Sequence, residues 1–482
     1  MSLSSRDDLL PFEVASRRCL LLLLITIPLL FGATHPFIQG VYTFLLLIGC
    51  GGWLLFGVAG QRRSGRRRLS RVGNFPAEGE RRRPLFTGWH WPAVMLLVFA
   101  ALTTLPLPLG LVSLLSPVRA AYVAAVNALA GGHIDFASLS YSRLLTFKQG
   151  AFYLGLLLYF FAALILLRRN REFVLQVATV MVAVGCCEAV YGLLQVVNGH
   201  LGVLWLPSDL GAAGVARGTI IYRNQYASFL NLCWPLAVAV AAMKAKKHPV
   251  PLFLFAAGLM LLAVLFSLSR GGTIALIIVG AIIGWHAPYK RRQKLAVGAG
   301  ILLFLIFYGA LLGGYDELFK RFFDLRDSAG DRWTVWRYSL PMLFDHPLTG
   351  IGLESYRKLS PFYLKNFSGN LLWDRAHNEY LEFAIELGIP AFLLFMGWLA
   401  GGLAAGVKLI LRRKSSILAI AAFAGIIGFF AHGLTDFGWR LPANCVYCVT
   451  LMALAAAEIY RVGRPKGRKI KILASEKDHA AG

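Results

Sequence analysis

Leu265 to Ile278 reads LFSLSRGGTIALII, one cation, Arg270, set between two apolar runs of membrane-crossing length. A run of roughly 17 to 25 apolar residues crosses about 30 Å of hydrocarbon as an α-helix, the form in which a single chain segment satisfies its own backbone in lipid. The stretch therefore reads as two membrane helices joined by a short polar turn. The rest of the chain repeats the pattern: of its 482 residues 57% are hydrophobic and 15% charged. The expected fold class is an all-α polytopic membrane protein.

Twelve spans are predicted, near residues 19–34, 38–58, 92–112, 150–167, 173–197, 225–243, 250–268, 272–287, 295–313, 379–411, 416–435 and 442–460. Basic clusters fall in alternate loops, as the positive-inside rule requires. They include Arg17 and Arg18, nine arginines from Arg62 to Arg83, Arg168 with Arg169 and Arg171, Lys244 to Lys247, Lys290 to Lys294, Arg412 to Lys414, and the tail from Arg461. Both termini are thus expected in the cytoplasm, and Arg270 on the opposite face. The formal charge of +25 is spread over these loops, so it orients the chain and does not mark a nucleic-acid partner. Membrane lipids are the expected surroundings; the arginine-rich loop reads first as a solvated orientation signal, and second as a segment that touches anionic headgroups.

The spans divide the chain into residues 1–143 (spans one to three and the arginine-rich loop), 144–313 (spans four to nine), a partly helical cap at 314–376, 377–460 (spans ten to twelve), and a basic tail at 461–482. The first apolar run follows Arg17 and Arg18 as a signal peptide would, but without a clear cleavage site it reads as a retained anchor. All seven cysteines fall in predicted spans, where they act as small apolar residues. No disulfide framework follows, and Cys445 and Cys448 lack a second ligand pair for zinc.

Function is sought in the longer outer segments, 113–149, 198–224 and 314–376. After the last comes AHNEYLEFAIELGIPAFLLF, residues 376–395. Asn378 suits the N-cap of a helix, with Glu379 and Glu382 complementing its positive end. Glu386 lies about 12 Å further along at 1.5 Å per residue, where a carboxylate wants an arginine partner. His377, at the helix mouth, reads either as an interfacial histidine or as a general base beside an anion site. Arg217 and Arg223 in VARGTIIYRNQYASFLNL join Arg270 as outer cations at the ends of spans. Each suits a headgroup anchor; three near a histidine suit a diphosphate. Arg332 and Arg337 in the cap, and Arg440 beside Asp436, are weaker candidates; Asp436 with Arg440 reads alternatively as a structural ion pair. Glu188, inside a span, is either a relay or a packing partner. No D-x-D pair occurs in the outer segments, so neither metal nor cofactor is expected.

Several segments in order resemble the O-antigen ligase and polymerase family of bacterial membrane glycosyltransferases: RGTIIYRNQYASFLNL (217–232), SLSRGGTIAL (267–276), DRWTVWRYSLPMLFDHPLTGIGLESY (331–356), HNEYLEFAIELGIP (377–390) and HGLTDFGWRLPANC (432–445). The resemblance covers about residues 140–460. Ala391 stands where ligases often carry Gly, Thr or Tyr, a departure that bears on the ligase assignment more than on the family. The resemblance implies a GT-C-like architecture in the bacterial inner membrane and an inverting, metal-independent transfer on the periplasmic face. The donor it implies is a glycan on undecaprenyl diphosphate. Arg270 would stabilise the leaving diphosphate with Arg217 and Arg223, and His377 would take the acceptor proton. Asn224, Asn378, Glu379, Glu382, Arg332 and Asp436 would support them. A neutral imidazole implies activity falling below about pH 6, from an ordinary histidine value of ~6.5. Lipid A core as acceptor makes a ligase, the favoured reading, and a lipid-linked glycan repeat makes a polymerase. The competing class is a secondary transporter, which should gather its polar groups near the bilayer midplane.

Overall fold

The structure, a computed structural model, describes residues 11–57, 90–204, 206, 214–244, 250–286, 328–364, 373–411 and 416–462. Predicted span nine, the arginine-rich loop, residues 314–327 and 365–372 of the cap and most of the basic tail lie outside the described residues. The described chain is helical almost throughout. Helix α1 is Pro11–Leu29, α2 Pro36–Phe44 continuing into wider turns to Gly57, and α3 Trp91–Leu102. Two short helices follow, α4 (Leu109–Leu115) and α5 (Pro117–Ala130). Then come α6 (Arg143–Arg169), α7 (Arg171–Val197), α8 (Arg223–Lys244), α9 (Val250–Phe266) and α10 (Arg270–His286). The cap supplies α11 (Ser328–Asp345) and α12 (Tyr356–Tyr363), and α13 (Glu379–Leu411), α14 (Ile417–His432) and α15 (Pro442–Val462) close the chain. Six helices are long and apolar enough to cross a membrane, and four shorter apolar helices accompany them among the described residues. This is an all-α membrane protein.

Helix α8 is the centre of the packing. It touches α7, α9, α10, α14 and α15, and Tyr226, Phe229, Leu230 and Leu232 are wholly buried on it. A helix apolar on all sides belongs in such a position. At the α6–α7 corner, the Asn170 side chain accepts from the Glu172 and Phe173 amides at 2.8 and 3.1 Å. That satisfies two amide groups which the helix start would otherwise leave open.

Two predicted spans are corrected. Span three, expected over 92–112, stops at Leu102 after 12 residues. Hydropathy continues past that point, but Pro106 and Pro108 cannot extend a helix. Instead Leu107–Pro108 pairs antiparallel with Phe136–Ala137, enclosing α4 and α5.

Span ten, expected as one helix over 379–411, is broken at Gly388, where φ is 76° and ψ 166°. Pro390 starts the second part. The break is filled by the cap's TGIG turn: the Ile351 and Gly352 amides donate to the carbonyls of Ile385 and Glu386 at 3.2 and 3.0 Å. In return the Ile389 amide donates to Pro347 O at 2.7 Å. Irregular backbone beside a membrane needs such internal partners. Gly350 and Gly388 are required by contact as well as by positive φ, since a Cβ on Gly388 would sit 2.7 Å from the Gly350 nitrogen.

Candidate active site

Helix connectivity gathers the candidate cations at one end of the bundle. α7 runs away from Arg168, Arg169 and Arg171, and its far end holds the loop carrying Arg217. α8 starts there at Arg223, and α9 returns to the same end before α10 starts at Arg270. The Ala216 amide donates to Phe266 O at 3.1 Å, closing the distance between the Arg217 loop and the SLSRGG turn. Ser269 caps α10 by accepting from the Gly272 amide at 3.1 Å. Gly271 lies flat against the α14–α15 loop, where a Cβ would strike Thr435 Oγ1 and come within 2.7 Å of His432.

That loop, Gly433 to Leu441, is where cap and bundle meet. Arg332 Nη1 donates to Thr435 O at 2.9 Å. Burial, and then the field of the nearby Arg270, lower the Arg332 guanidinium from its ordinary value, with Asp436 acting the other way. Two cations held close in a partly dry site form an arrangement that a bound anion stabilises.

His377 has φ of 50°, a turn just before the helix that Asn378 caps by accepting from the Leu381 amide at 3.1 Å. This turn directs the imidazole to Asp436, with Nδ1 3.6 Å from Oδ1, just outside hydrogen-bonding range. Trp373 and Phe437 meet the ring edge-on at centroid distances of 5.6 and 4.9 Å. The histidine side chain keeps 24% exposure and Asp436 only 3%. Burial would raise the Asp436 carboxyl, but His377, His432 and Arg332 outweigh it and hold the group below its ordinary value. A fixed anion thus faces one imidazole nitrogen, leaving Nε2 to carry proton chemistry.

Beneath the histidine lies a buried ion network. Arg375 Nη2 reaches Glu354 Oε2 at 2.7 Å and its Nη1 reaches Glu382 Oε1 at 3.0 Å. Arg440 meets Glu354 at 2.8 Å, Glu386 at 3.0 Å, Glu382 at 3.2 Å and Glu379 at 3.4 Å. Backbone amides complete the set: Trp439 donates to Glu379 at 2.7 Å and Ala376 to Glu382 at 2.9 Å. Burial would raise the Glu354 carboxyl; the two guanidiniums lower it instead. Glu354 belongs to the cap turn, Arg375 to the cap's end, the other glutamates to α13 and Arg440 to the loop before α15. The network therefore locks four segments around His377.

A family model described as O-antigen ligase matches residues 255–396. The chain carries an O-antigen ligase-family domain. No curated protein matches the chain. The matched stretch, narrower than the resemblance read from the sequence, includes Arg270, Arg332, Arg375, His377 and the three α13 glutamates. Membership implies a lipid-linked glycan and an acceptor as substrates in the broad sense.

Around this O-antigen ligase-family domain the other candidates take definite places. Arg223 and Asn224 lie in the first turn of α8. There Tyr222 meets Phe437 at 5.4 Å, on the loop that also borders His377. Glu386 has the expected arginine partner, Arg440. The expected Asp436–Arg440 pair is not formed; Asp436 faces His377 and Arg440 faces the glutamates, because the tight turn over Gly438–Arg440 separates the two side chains. Glu379 and Glu382, read as complements to a helix dipole, are buried ion-pair members. Arg337 is exposed on α11. Sequence reasoning missed Arg375, Glu354, His432 and Gln195. Arg375 stood two residues before His377 as a legible signal; Glu354 and Gln195 had none, since their partners are distant in the chain.

Proposed function

We propose that the protein is an inverting glycosyltransferase of the bacterial inner membrane, moving a glycan from undecaprenyl diphosphate to an acceptor hydroxyl on the periplasmic face, without a metal. The observation that carries this reading is the convergence of His377, Asp436, Arg332 and the Arg270 turn on one loop. His377 Nε2 takes the acceptor proton as the oxygen attacks the anomeric carbon, and Asp436 steadies the imidazolium that forms. Negative charge grows on the departing diphosphate, where Arg270, with Arg332, Arg217 and Arg223, stabilises it in a site partly closed to water. Asn378 caps the helix start beside the base, Asn224 stands next to Arg223 in the first turn of α8, and Glu379 and Glu382 brace the base through Arg375 and Arg440. Among the described residues no group of three or more His, Cys, Asp or Glu is arranged around a metal position.

Lipid A core is the favoured acceptor; a lipid-linked repeat would make the same site a polymerase. The broken helix α13 is an element that a transporter would use, but here its freed backbone is taken up by the cap turn. The test is glycan transfer in vitro with a synthetic lipid-diphosphate oligosaccharide and EDTA present, offering each acceptor separately. Wild type is expected to transfer. His377→Ala should lose on the order of 10²- to 10⁴-fold, and Arg270→Ala about 10²- to 10³-fold. Full activity in both variants would remove the proposed site, and the productive acceptor separates ligase from polymerase.

A further inference from the structure

Glu188 lies inside α7 with 1% exposure, and among the described residues no basic side chain is paired with it. Its carboxyl oxygens meet a single residue. The Thr219 amide donates to Oε2 at 2.8 Å, and Thr219 Oγ1 lies 2.6 Å from Oε1. The same Oγ1 lies 2.8 Å from the carbonyl oxygen of Pro28, at the end of α1.

Counting hydrogens decides the charge. A threonine hydroxyl carries one hydrogen, a backbone carbonyl carries none, and an ionised carboxylate carries none. If Glu188 were ionised, one of the two short contacts at Oγ1 would join two acceptors with no proton between them. If Glu188 is protonated, Oε1–H donates to Thr219 Oγ1, which donates onward to Pro28 O. That chain also satisfies a carbonyl in the last turn of α1, where helix carbonyls lack partners within the helix. The other titratable groups facing Glu188 are Tyr226 and Cys233 of α8 and Tyr447 of α15. None supplies a positive charge, and a neutral acid is far cheaper to bury than an unpaired carboxylate.

Two turns further along α7, Gln195 continues the strap. Its Oε1 accepts from the Arg217 and Gly218 amides at 3.0 and 2.9 Å, and its Nε2 donates to Gly218 O at 2.9 Å. Gly218 has φ of 59°, and a Cβ there would strike Glu188 and stand 2.7 Å from the Tyr226 ring. The Arg217–Thr219 loop is thus laid directly on α7.

We infer that Glu188 is a neutral carboxylic acid and a positioning residue, fixing the loop that presents Arg217 to the lipid diphosphate. Its proton follows from geometry alone; its positioning role rests on the reading of Arg217 as a donor-site residue.

Infrared difference spectroscopy of the full-length protein against Glu188→Gln tests the first part. A protonated-carboxyl carbonyl band should be present in wild type, missing in the variant and unchanged through the neutral pH range. A band that is absent, or that titrates there, overturns the neutral acid. Binding of undecaprenyl diphosphate tests the second. Glu188→Gln, whose amide can donate to Oγ1 and accept from the Thr219 amide, should bind within about twofold of wild type, whereas Glu188→Ala should weaken binding about tenfold, equivalent to about 1.4 kcal/mol. Wild-type binding by a folded Glu188→Ala, or binding by Glu188→Gln as weak as by Glu188→Ala, overturns the positioning role. Arg217→Ala separates the two readings: unchanged binding there with the expected band removes the donor site and leaves the protonated strap standing.

Discussion

His377 accepts an uncommon backbone conformation, φ of 50°, which for a residue other than glycine costs on the order of 1 to 3 kcal/mol. The return is direction: the imidazole turns back from the helix start toward Asp436 instead of following the helix axis. Asp436 has its carboxyl held below the ordinary value by His377, His432 and Arg332. The sign follows directly. A depressed folded-state value gives stability present above the unfolded value of about 3.9, lost only as pH falls through the lower folded value. Near neutrality Asp436 therefore stays anionic. Asp436→Asn removes that charge while keeping the shape. We expect kcat to fall by on the order of 10²-fold and donor KM to hold, since the imidazolium formed during transfer loses its anion. Unchanged kcat in steady-state transfer assays would leave Asp436 without a role in the chemistry. His377 and Asp436 were legible separately in the sequence, one at a helix mouth and one in a polar loop. Their pairing was not, because 59 positions separate them and Arg440 offered a nearer counterion.

At the scale of elements, the informative unit is the broken helix α13 with the cap turn in its gap. The Gly388-Ile389-Pro390 signal was present in the sequence, yet the apolar run on either side reads as one continuous span. Hydropathy reports depth in the membrane and not continuity of the backbone, so the break needed its partner, the TGIG turn 36 to 39 residues earlier, to be seen. The same limit explains span three, where prolines end a helix that hydropathy prolongs. The docking has a measurable consequence. Gly350 and Gly388 both have positive φ, and a Cβ on Gly350 would meet the Glu386 carbonyl. Gly388→Ala and Gly350→Ala should each lower stability by about 1 to 3 kcal/mol in thermal unfolding of the detergent-solubilised protein. Both should also lose transfer activity, because Glu354, two residues beyond this docked turn, is thereby held against Arg375 and Arg440 beneath His377. A variant that unfolds like wild type and transfers normally would show that the cap's seating does not hold the site.

For the whole molecule the decisive property is sidedness. An alternation of basic loops was readable along the sequence, and among the described residues the helix order separates two of the arginine groups: Arg168, Arg169 and Arg171 lie at one end of α6 and α7, whereas Arg217, Arg223 and Arg270 lie at the other. α7 has 27 residues, a length of about 40 Å at 1.5 Å per residue, more than the ~30 Å hydrocarbon core. Set across the membrane, a helix of this length puts the two arginine groups on opposite aqueous faces. Cysteine labelling in intact cells tests which face is which. Arg169→Cys and His200→Cys alter exposed positions at opposite ends of α7, in a chain whose seven native cysteines are replaced by alanine. A membrane-impermeant maleimide applied from outside should label the cysteine at 200, and reach the one at 169 only after the inner membrane is opened. Labelling in the reverse order would put His377 and the arginine cluster in the cytoplasm. The donor would then have to react before its lipid is flipped, and transfer to an acceptor completed on the outer face would be ruled out.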